Sequence, residues 1–247
     1  MIASRWHRRT GCWPRTLGVF AVAFVIVAQL HSQPAGRLVS FRLADGRMLS
    51  GLLIEAQNRP APAVVLVPML GRPRDEWQTM AQRLSEANMN ALAIDLPATA
   101  LPESPSELAQ WHQVVTGAVA YLASHPSDVR ADAIGVVGAS LGANLAAVAA
   151  AADTRISSLA LVSPSLDYRS VRIDSVLTKY GARPALLIAS VHDPYAARSV
   201  RALAQDTSGP REVRWSSVAG HGTVLLSRDS ELAAGLMEWF QRTLGGK

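Results

Sequence analysis

The sequence predicts an α/β protein: a mostly parallel sheet flanked by helices on both faces. Three observations carry that prediction. Short, almost wholly apolar runs recur along the chain, among them AVVLV (63–67), ALAID (91–95) and ALLIAS (185–190), the last two closing on one polar residue. Such runs have strand length and lack the polar alternation of a half-solvated strand, so both of their faces are expected to be covered. Stretches of helical periodicity separate them, which is the βαβ pattern of a parallel sheet. Finally, 247 residues at 49% apolar content can build one core of ordinary domain size.

The elements follow in order. RLVSFRLADGRMLSGLLIEA (37–56) reads as two strands around an Asp45-Gly46 turn. After strand 63–67, RDEWQTMAQRLSEAN places Trp77, Met80, Ala81 and Leu84 at helical spacing. Strand 91–95 leads into the proline-rich LPATALPESPSE, and a helix is expected from about 108 to 125, stopped by Pro126. AIGVVGA (133–139) is a strand, and LGANLAAVAAAA (141–152) a helix. Strands follow at 156–163, 185–190 and 211–218, with helices near 196–204 and 229–244. The stretch of about twenty residues between Ser163 and Ala185 is too short for a separate domain and has room only for a small lip or lid.

The net charge of +5 is local. Arg5, Arg8, Arg9 and Arg15 precede residue 33 and no acidic residue does, so the remainder is close to neutral and carries no nucleic-acid footprint. The N-terminus has the layout of an export signal: a basic leader, an apolar run and the small, polar exit HSQPAG. From Leu17 to Leu30 is 14 residues. That is about 21 Å as a helix, against a bilayer core of roughly 30 Å. Residues 1–32 are therefore expected to be a signal peptide cut after Ala28 or Ser32, or else a short uncleaved anchor. Either places residues 37–247 outside the cytoplasm, periplasmic or secreted. The single cysteine, Cys12, precedes the apolar run, so the mature chain would hold no disulfide, thiol nucleophile or thiolate metal site.

The joint at GASLG (138–142) is where chemistry is expected. Ser140 stands at the carboxyl end of a strand in a parallel sheet, where such sheets bind ligands. Gly138 and Gly142 flank it two positions away on each side, as a sharp strand-to-helix turn requires. The turn lifts the serine to the sheet edge, and the Leu141 amide and the positive helix end face any charge developing on a bound oxygen. This is the G-x-S-x-G nucleophile elbow. A glycine-rich dinucleotide loop is the competing reading of GVVGASLGA. It would follow the first strand and have an acid at the end of the next; here the next strand ends in LALVS.

A serine nucleophile needs a base, and the base an orienting acid. Of six histidines, His7 and His31 lie in the leader, His112 within a helix and His125 at a helix end. His192 neighbours Asp193 on a loop. His221, in VAGHGTVLL, is set between glycines just past the last strand, where a loop can return the imidazole over the sheet edge. Asp193 in VHDPYA is the leading acid, as the strand before it is the next to the histidine loop in chain order. Asp167 in SPSLDY is its competitor, and Asp95 reads as a loop-fixing residue.

The order Ser140, Asp193, His221 is the α/β-hydrolase order, and from about Arg37 to Leu244 the chain resembles that superfamily, especially its compact dienelactone-hydrolase-like and small-esterase members. The resemblance rests on PAVVLVPMLGRPRDEWQTMAQRLSEANMNALAIDLP, GASLG, VHDPYA and GHG. It implies an α/β-hydrolase fold with no large cap domain and acyl transfer through an acyl-enzyme. Ser140 would attack, His221 shuttle the proton and Asp193 hold the imidazole, while the Leu70 and Leu141 amides bind the oxyanion. The expected activity is hydrolysis of small acyl or aryl carboxylic esters, with no cofactor and no metal. Alternatives are an amidase or peptidase using the same triad, or a catalytically silent binding protein. The chain departs from the family at Pro68-Met69, where His-Gly is usual, and in LPATALPE after Asp95. Its serine replaces the cysteine of dienelactone hydrolases proper.

Overall fold

The computed structural model describes residues 2–3 and 36–245. The expected leader, residues 1–32, lies outside them apart from residues 2–3, which show no regular structure. Among the described residues no helix is long and apolar enough to cross a membrane.

Two antiparallel strands, β1 (Arg37–Arg42) and β2 (Met48–Ile54), open the sheet around the turn at Gly46. Then follow β3 (Ala61–Val67), a single 3₁₀ turn (Arg74–Trp77), α1 (Gln78–Glu86) and β4 (Asn90–Ile94). The next elements are α2 (Pro105–Gln110), α3 (Gln113–Ala123), β5 (Val129–Ala139), α4 (Leu141–Ala152) and β6 (Ile156–Val162). A small hairpin, β7 (Asp167–Tyr168) and β8 (Val171–Arg172), and α5 (Val176–Tyr180) fill the stretch before β9 (Ala185–Ser190). The chain ends in α6 (Pro194–Leu203), β10 (Arg211–Ser216), α7 (Gly222–Arg228) and α8 (Ser230–Leu244).

The main sheet has eight strands in the order β1-β2-β4-β3-β5-β6-β9-β10. From β4 to β10 all neighbours are parallel. The apolar runs explain the layers. In β3, Val65 and Val67 face a core shared with α3, α4, α5 and α6. Val64 and Leu66 face a second core, shared with α1, α7 and α8. Every residue of β3 and β4 is buried, as a strand covered on both sides must be. Strand order reverses direction between β3 and β5: the chain first builds outward through β4, then returns to the other side of β3. Such a switch point leaves a crevice at the carboxyl ends of the two strands.

Three expectations are corrected. The helix expected over 108–125 is two helices, α2 and α3. Trp111 turns into the core between them, and the His112 imidazole takes the Ala109 carbonyl at 2.7 Å. The stretch after His221, read as loop, is the short helix α7. The strand expected from 133 begins at Val129, opposite Ala61 of β3.

The stretch between β6 and β9 is a pinned insert, not a cap. Asn144 of α4, fully buried, donates to the carbonyls of Ser165 and Val171 at 2.8 Å each and accepts from the Ser165 amide. At the far end Arg211 of β10 reaches the carbonyls of Leu177, Gly181 and Arg183 and pairs with Asp206 at 3.0 Å. Burial alone would raise the Asp206 carboxyl. The hydroxyls of Ser208 and Thr178, the Ser208 amide and Arg211 outweigh it and hold the group at about 2.

Candidate active site

The crevice at the switch point is where the candidate residues meet. β5 pairs with β3 up to Val67 opposite Gly138, and the chain then turns directly into α4. Ser140 is the joint, with φ 53° and ψ −122°. A side chain rarely occupies this region, and holding one there costs on the order of 1–3 kcal/mol. The flanking glycines let the surroundings impose it. A methyl group on Gly138 would lie 2.1 Å from the Gly142 carbonyl oxygen; one on Gly142 would lie 2.4 Å from the Pro68 carbonyl oxygen. Strand, turn, helix and the loop after β3 therefore close on one another at backbone contact.

The Ser140 hydroxyl lies 2.9 Å from His221 Nε2, and His221 Nδ1 lies 2.5 Å from Asp193 Oδ2. An ionised carboxylate only accepts, so Nδ1 carries the proton and the Nε2 lone pair faces the serine O–H. Asp193 also caps α6: its Oδ1 accepts from the Ala196 amide at 3.1 Å, and Pro194 opens the helix. Being a cap and bonding His221 are thus compatible, one oxygen for each. His221 precedes α7, between Gly220 and Gly222. Gly222 has φ +56°, and a methyl group there would lie 2.2 Å from the Met69 sulfur. The Gly222 amide donates to Ser163 Oγ at 2.9 Å, and Ser163 is itself a buried residue with φ 51°.

The other candidates stand apart from this chain of bonds. Asp167 accepts from the Ser170 amide at 2.7 Å and ties down its own hairpin. Asp95 pairs with Arg74. His125 takes the Tyr121 carbonyl at 2.7 Å at the end of α3. His192 lies on the rim of the site, lining a wide cleft of about 520 Å³ with Met69, Asp193, Pro194, His221 and Arg228. Of the two expected oxyanion amides, that of Leu141 is the first in α4, where no earlier helical carbonyl can accept it. Leu70 stands in the turn after β3, closed by the Arg72 amide donating to the Met69 carbonyl at 3.2 Å. Met69, at the departure from the family pattern, is only 9% exposed and packs into the second core. The space left by the missing side chain of Gly222 admits it.

One residue was missed. Glu76 accepts from the Met69 amide at 2.8 Å with one carboxylate oxygen and from the Thr223 hydroxyl at 2.8 Å with the other. Burial pushes its carboxyl up, against the pull of these two donors and of Arg72. In the sequence Glu76 looks like an ordinary acid in the first turn of a helix.

The backbone matches solved structures over most of its length. A dienelactone hydrolase from Anabaena variabilis superposes with a TM-score of 0.68 at 24% identity, covering 86% of this chain and 99% of that one. An α/β hydrolase, GrgF, from a Penicillium species gives 0.71 at 15% identity, over 85% and 99% of the two chains. This is an α/β-hydrolase fold. A Pyrococcus furiosus esterase shares that fold too, with a TM-score of 0.69 at 17% identity over 85% and 93%. No protein-family model and no curated protein sequence matches the chain. Within the α/β-hydrolase fold, the sharp turn after β5 and the loop after β3 border the crevice at the strand-order switch point.

Proposed function

We propose that the protein is an exported serine hydrolase that cleaves carboxylic esters with small acyl or aryl groups. Ser140 is the nucleophile, His221 the general base and acid, and Asp193 the residue that orients the imidazole. The observation that carries this reading is the unbroken run of hydrogen bonds from Ser140 through His221 to Asp193, at 2.9 and 2.5 Å. It starts from a serine whose backbone is held in a left-handed conformation.

The chemistry follows from those contacts. As Ser140 Oγ attacks the ester carbonyl, its proton passes to His221 Nε2. The Asp193 carboxylate stabilises the imidazolium that forms and keeps it from rotating. The carbonyl oxygen becomes an oxyanion, which the amides of Leu70 and Leu141 bind, aided by the positive end of α4. Collapse expels the alcohol, which takes its proton from His221. A water then repeats the sequence on the acyl-enzyme, releases the acid and restores the Ser140 hydroxyl. The His221 side chain is half-exposed and opens on the wide cleft, which gives water access to the imidazole.

The test is labelling with a fluorophosphonate probe, with the adduct mapped by mass spectrometry. A single adduct on Ser140 is expected, together with faster turnover of p-nitrophenyl acetate and butyrate than of long-chain esters. Labelling nowhere would favour the silent binding protein. Turnover of anilides without esters would favour the amidase, and a preference for long chains would contradict the open, uncapped site. Export rests on the leader sequence, and intact mass of the exported protein is expected to show loss of about the first 28 to 32 residues.

A further inference from the structure

Two loops must hold their relative places for the proposed reaction: the one after β3, which carries the Leu70 amide, and the one before α7, which carries His221. One side chain bridges them. Glu76 sits on the 3₁₀ turn Arg74–Trp77, whose last residue, Trp77, is buried against the core. From that base its carboxylate reaches both loops at 2.8 Å, through the Met69 amide on one side and the Thr223 hydroxyl on the other. Met69 directly precedes Leu70, so the bond to its N–H fixes the peptide unit adjoining the oxyanion amide. Thr223 lies two residues past His221.

We propose that Glu76 is a positioning residue for the hydrolytic reaction, a strap that holds the Leu70 amide and the His221 imidazole in register. The inference rests on the reading of His221 as base and Leu70 as oxyanion donor. Both Glu76 carboxylate oxygens are taken up by the two loops, and Glu76 and Thr223 line a cavity of about 200 Å³ with Met80 and Leu226, distinct from the cleft at His221 that Met69, Val224 and Arg228 line. It therefore acts through the loops it binds, at the Met69 amide and the Thr223 hydroxyl. A structural role alone gives no reason to join these two loops with a partly buried carboxylate. Burial penalises its charge, and both of its bonded donors are neutral. A partly buried charge whose bonded donors are neutral, eased beyond them only by the field of Arg72, is a costly way to gain stability. It is a precise way to fix two loops, because each oxygen takes one partner.

The register has a second support. The Gly222 amide is held by Ser163 Oγ at 2.9 Å, so the histidine loop is fixed at 222 from β6 and at 223 from Glu76. In the loop after β3 the Glu76 carboxylate holds the Met69 amide, and the next side-chain tie is the Arg74–Asp95 pair farther along. Removal of Glu76 is therefore expected to act on both loops, and most on the one after β3.

The test compares Glu76→Ala and Glu76→Gln by steady-state kinetics and by hydrogen exchange over the full chain. Small misplacements of catalytic groups cost up to about 10²-fold. Glu76→Ala is accordingly expected to lower kcat by about 10- to 100-fold, with KM little changed. Its amide exchange should quicken in segments 67–72 and 220–226 together and nowhere else. Glu76→Gln should restore most of both, because the amide oxygen accepts from Met69 while the amide nitrogen donates to Thr223. If Glu76→Ala does not fold, Thr223→Val removes one bond only and is expected to give a smaller fall in kcat with faster exchange at 220–226. Unchanged kcat in a folded Glu76→Ala protein, a Gln variant as impaired as Ala, or exchange that quickens in only one loop would each overturn the strap. Should the wild-type protein hydrolyse no ester, the functional reading fails separately. The exchange pattern then decides alone: a joint rise in both loops supports the strap and its absence overturns it.

Discussion

Asp193→Asn is expected to lower kcat on an ester by about 10⁴ while leaving the melting temperature nearly unchanged. The two outcomes separate because the two carboxylate oxygens have separate duties. Oδ1 accepts from the Ala196 amide and caps α6, and asparagine caps equally well with its own oxygen. Oδ2 faces His221 Nδ1 at 2.5 Å. An amide nitrogen in its place donates where a proton must be accepted. The imidazole then turns to the other tautomer and presents N–H, not a lone pair, to Ser140. Asp167→Asn is expected to cost far less, since Asp167 is bonded to the Ser170 amide of its own hairpin. The measurement is kcat for both variants at matched thermal stability. A larger loss at Asp167 would move the acid to the loop after β6. Adding Ser140→Ala to Asp193→Asn should cost no more than Ser140→Ala alone, because the members of one relay are not additive.

A large stability effect is expected at Gly142. In Gly142→Val the first side-chain carbon would lie 2.4 Å from the Pro68 carbonyl oxygen and 2.6 Å from that of Val67. Those atoms belong to the end of a fully buried strand and the loop leading from it, and neither has a rotamer to change. Either α4 withdraws from the sheet or β3 gives up its end, and both are buried on nearly every side. Overpacking of a core usually costs about 1–3 kcal/mol. A clash of backbone against backbone should exceed that, enough to leave the domain unfolded or molten under ordinary conditions. Gly46→Ala is the control. Nothing lies within 4 Å of the added carbon, but φ is +88°. It should lose only about 1–2 kcal/mol from the left-handed backbone. Urea denaturation of the pair measures the difference. A stable Gly142→Val protein with normal packing would mean that strand and helix are not closed as tightly as the contacts require.

Most of the sheet was legible because its strands are buried on both faces. A run such as AVVLV has no polar residue to confuse its period, and its layer partners follow from alternation alone. The elbow was legible for a different reason: the two glycines stand where a turn of that sharpness needs them. What the sequence hid was short or non-local. α7 has seven residues, from Gly222 to Arg228, fewer than two turns of apolar period, so GHGTVLL looks like loop. The break between α2 and α3 depends on Trp111 finding a pocket in the core, which local pattern does not encode. Glu76 was invisible because its partners lie 7 and 147 residues away, one a backbone amide and the other a single hydroxyl. Asp193 and His221 were visible only through chain order and strand ends, which is why Asp167 competed until the distances separated them.

The left-handed joint at Ser140 has a consequence for how the site could change. Its backbone is dictated by the atoms around Gly138, Gly142 and Pro68, not by the hydroxyl it carries. Position 140 is thus a socket whose backbone does not depend on the side chain it carries. Ser140→Cys should fold as the parent does and present its sulfur to the same imidazole. The sequence has no cysteine other than Cys12, so with Cys12→Ser added, one equivalent of iodoacetamide taken up would report the thiol at position 140 alone. A protein arranged this way can exchange oxygen for sulfur chemistry by altering one residue, and leave the rest of the domain untouched.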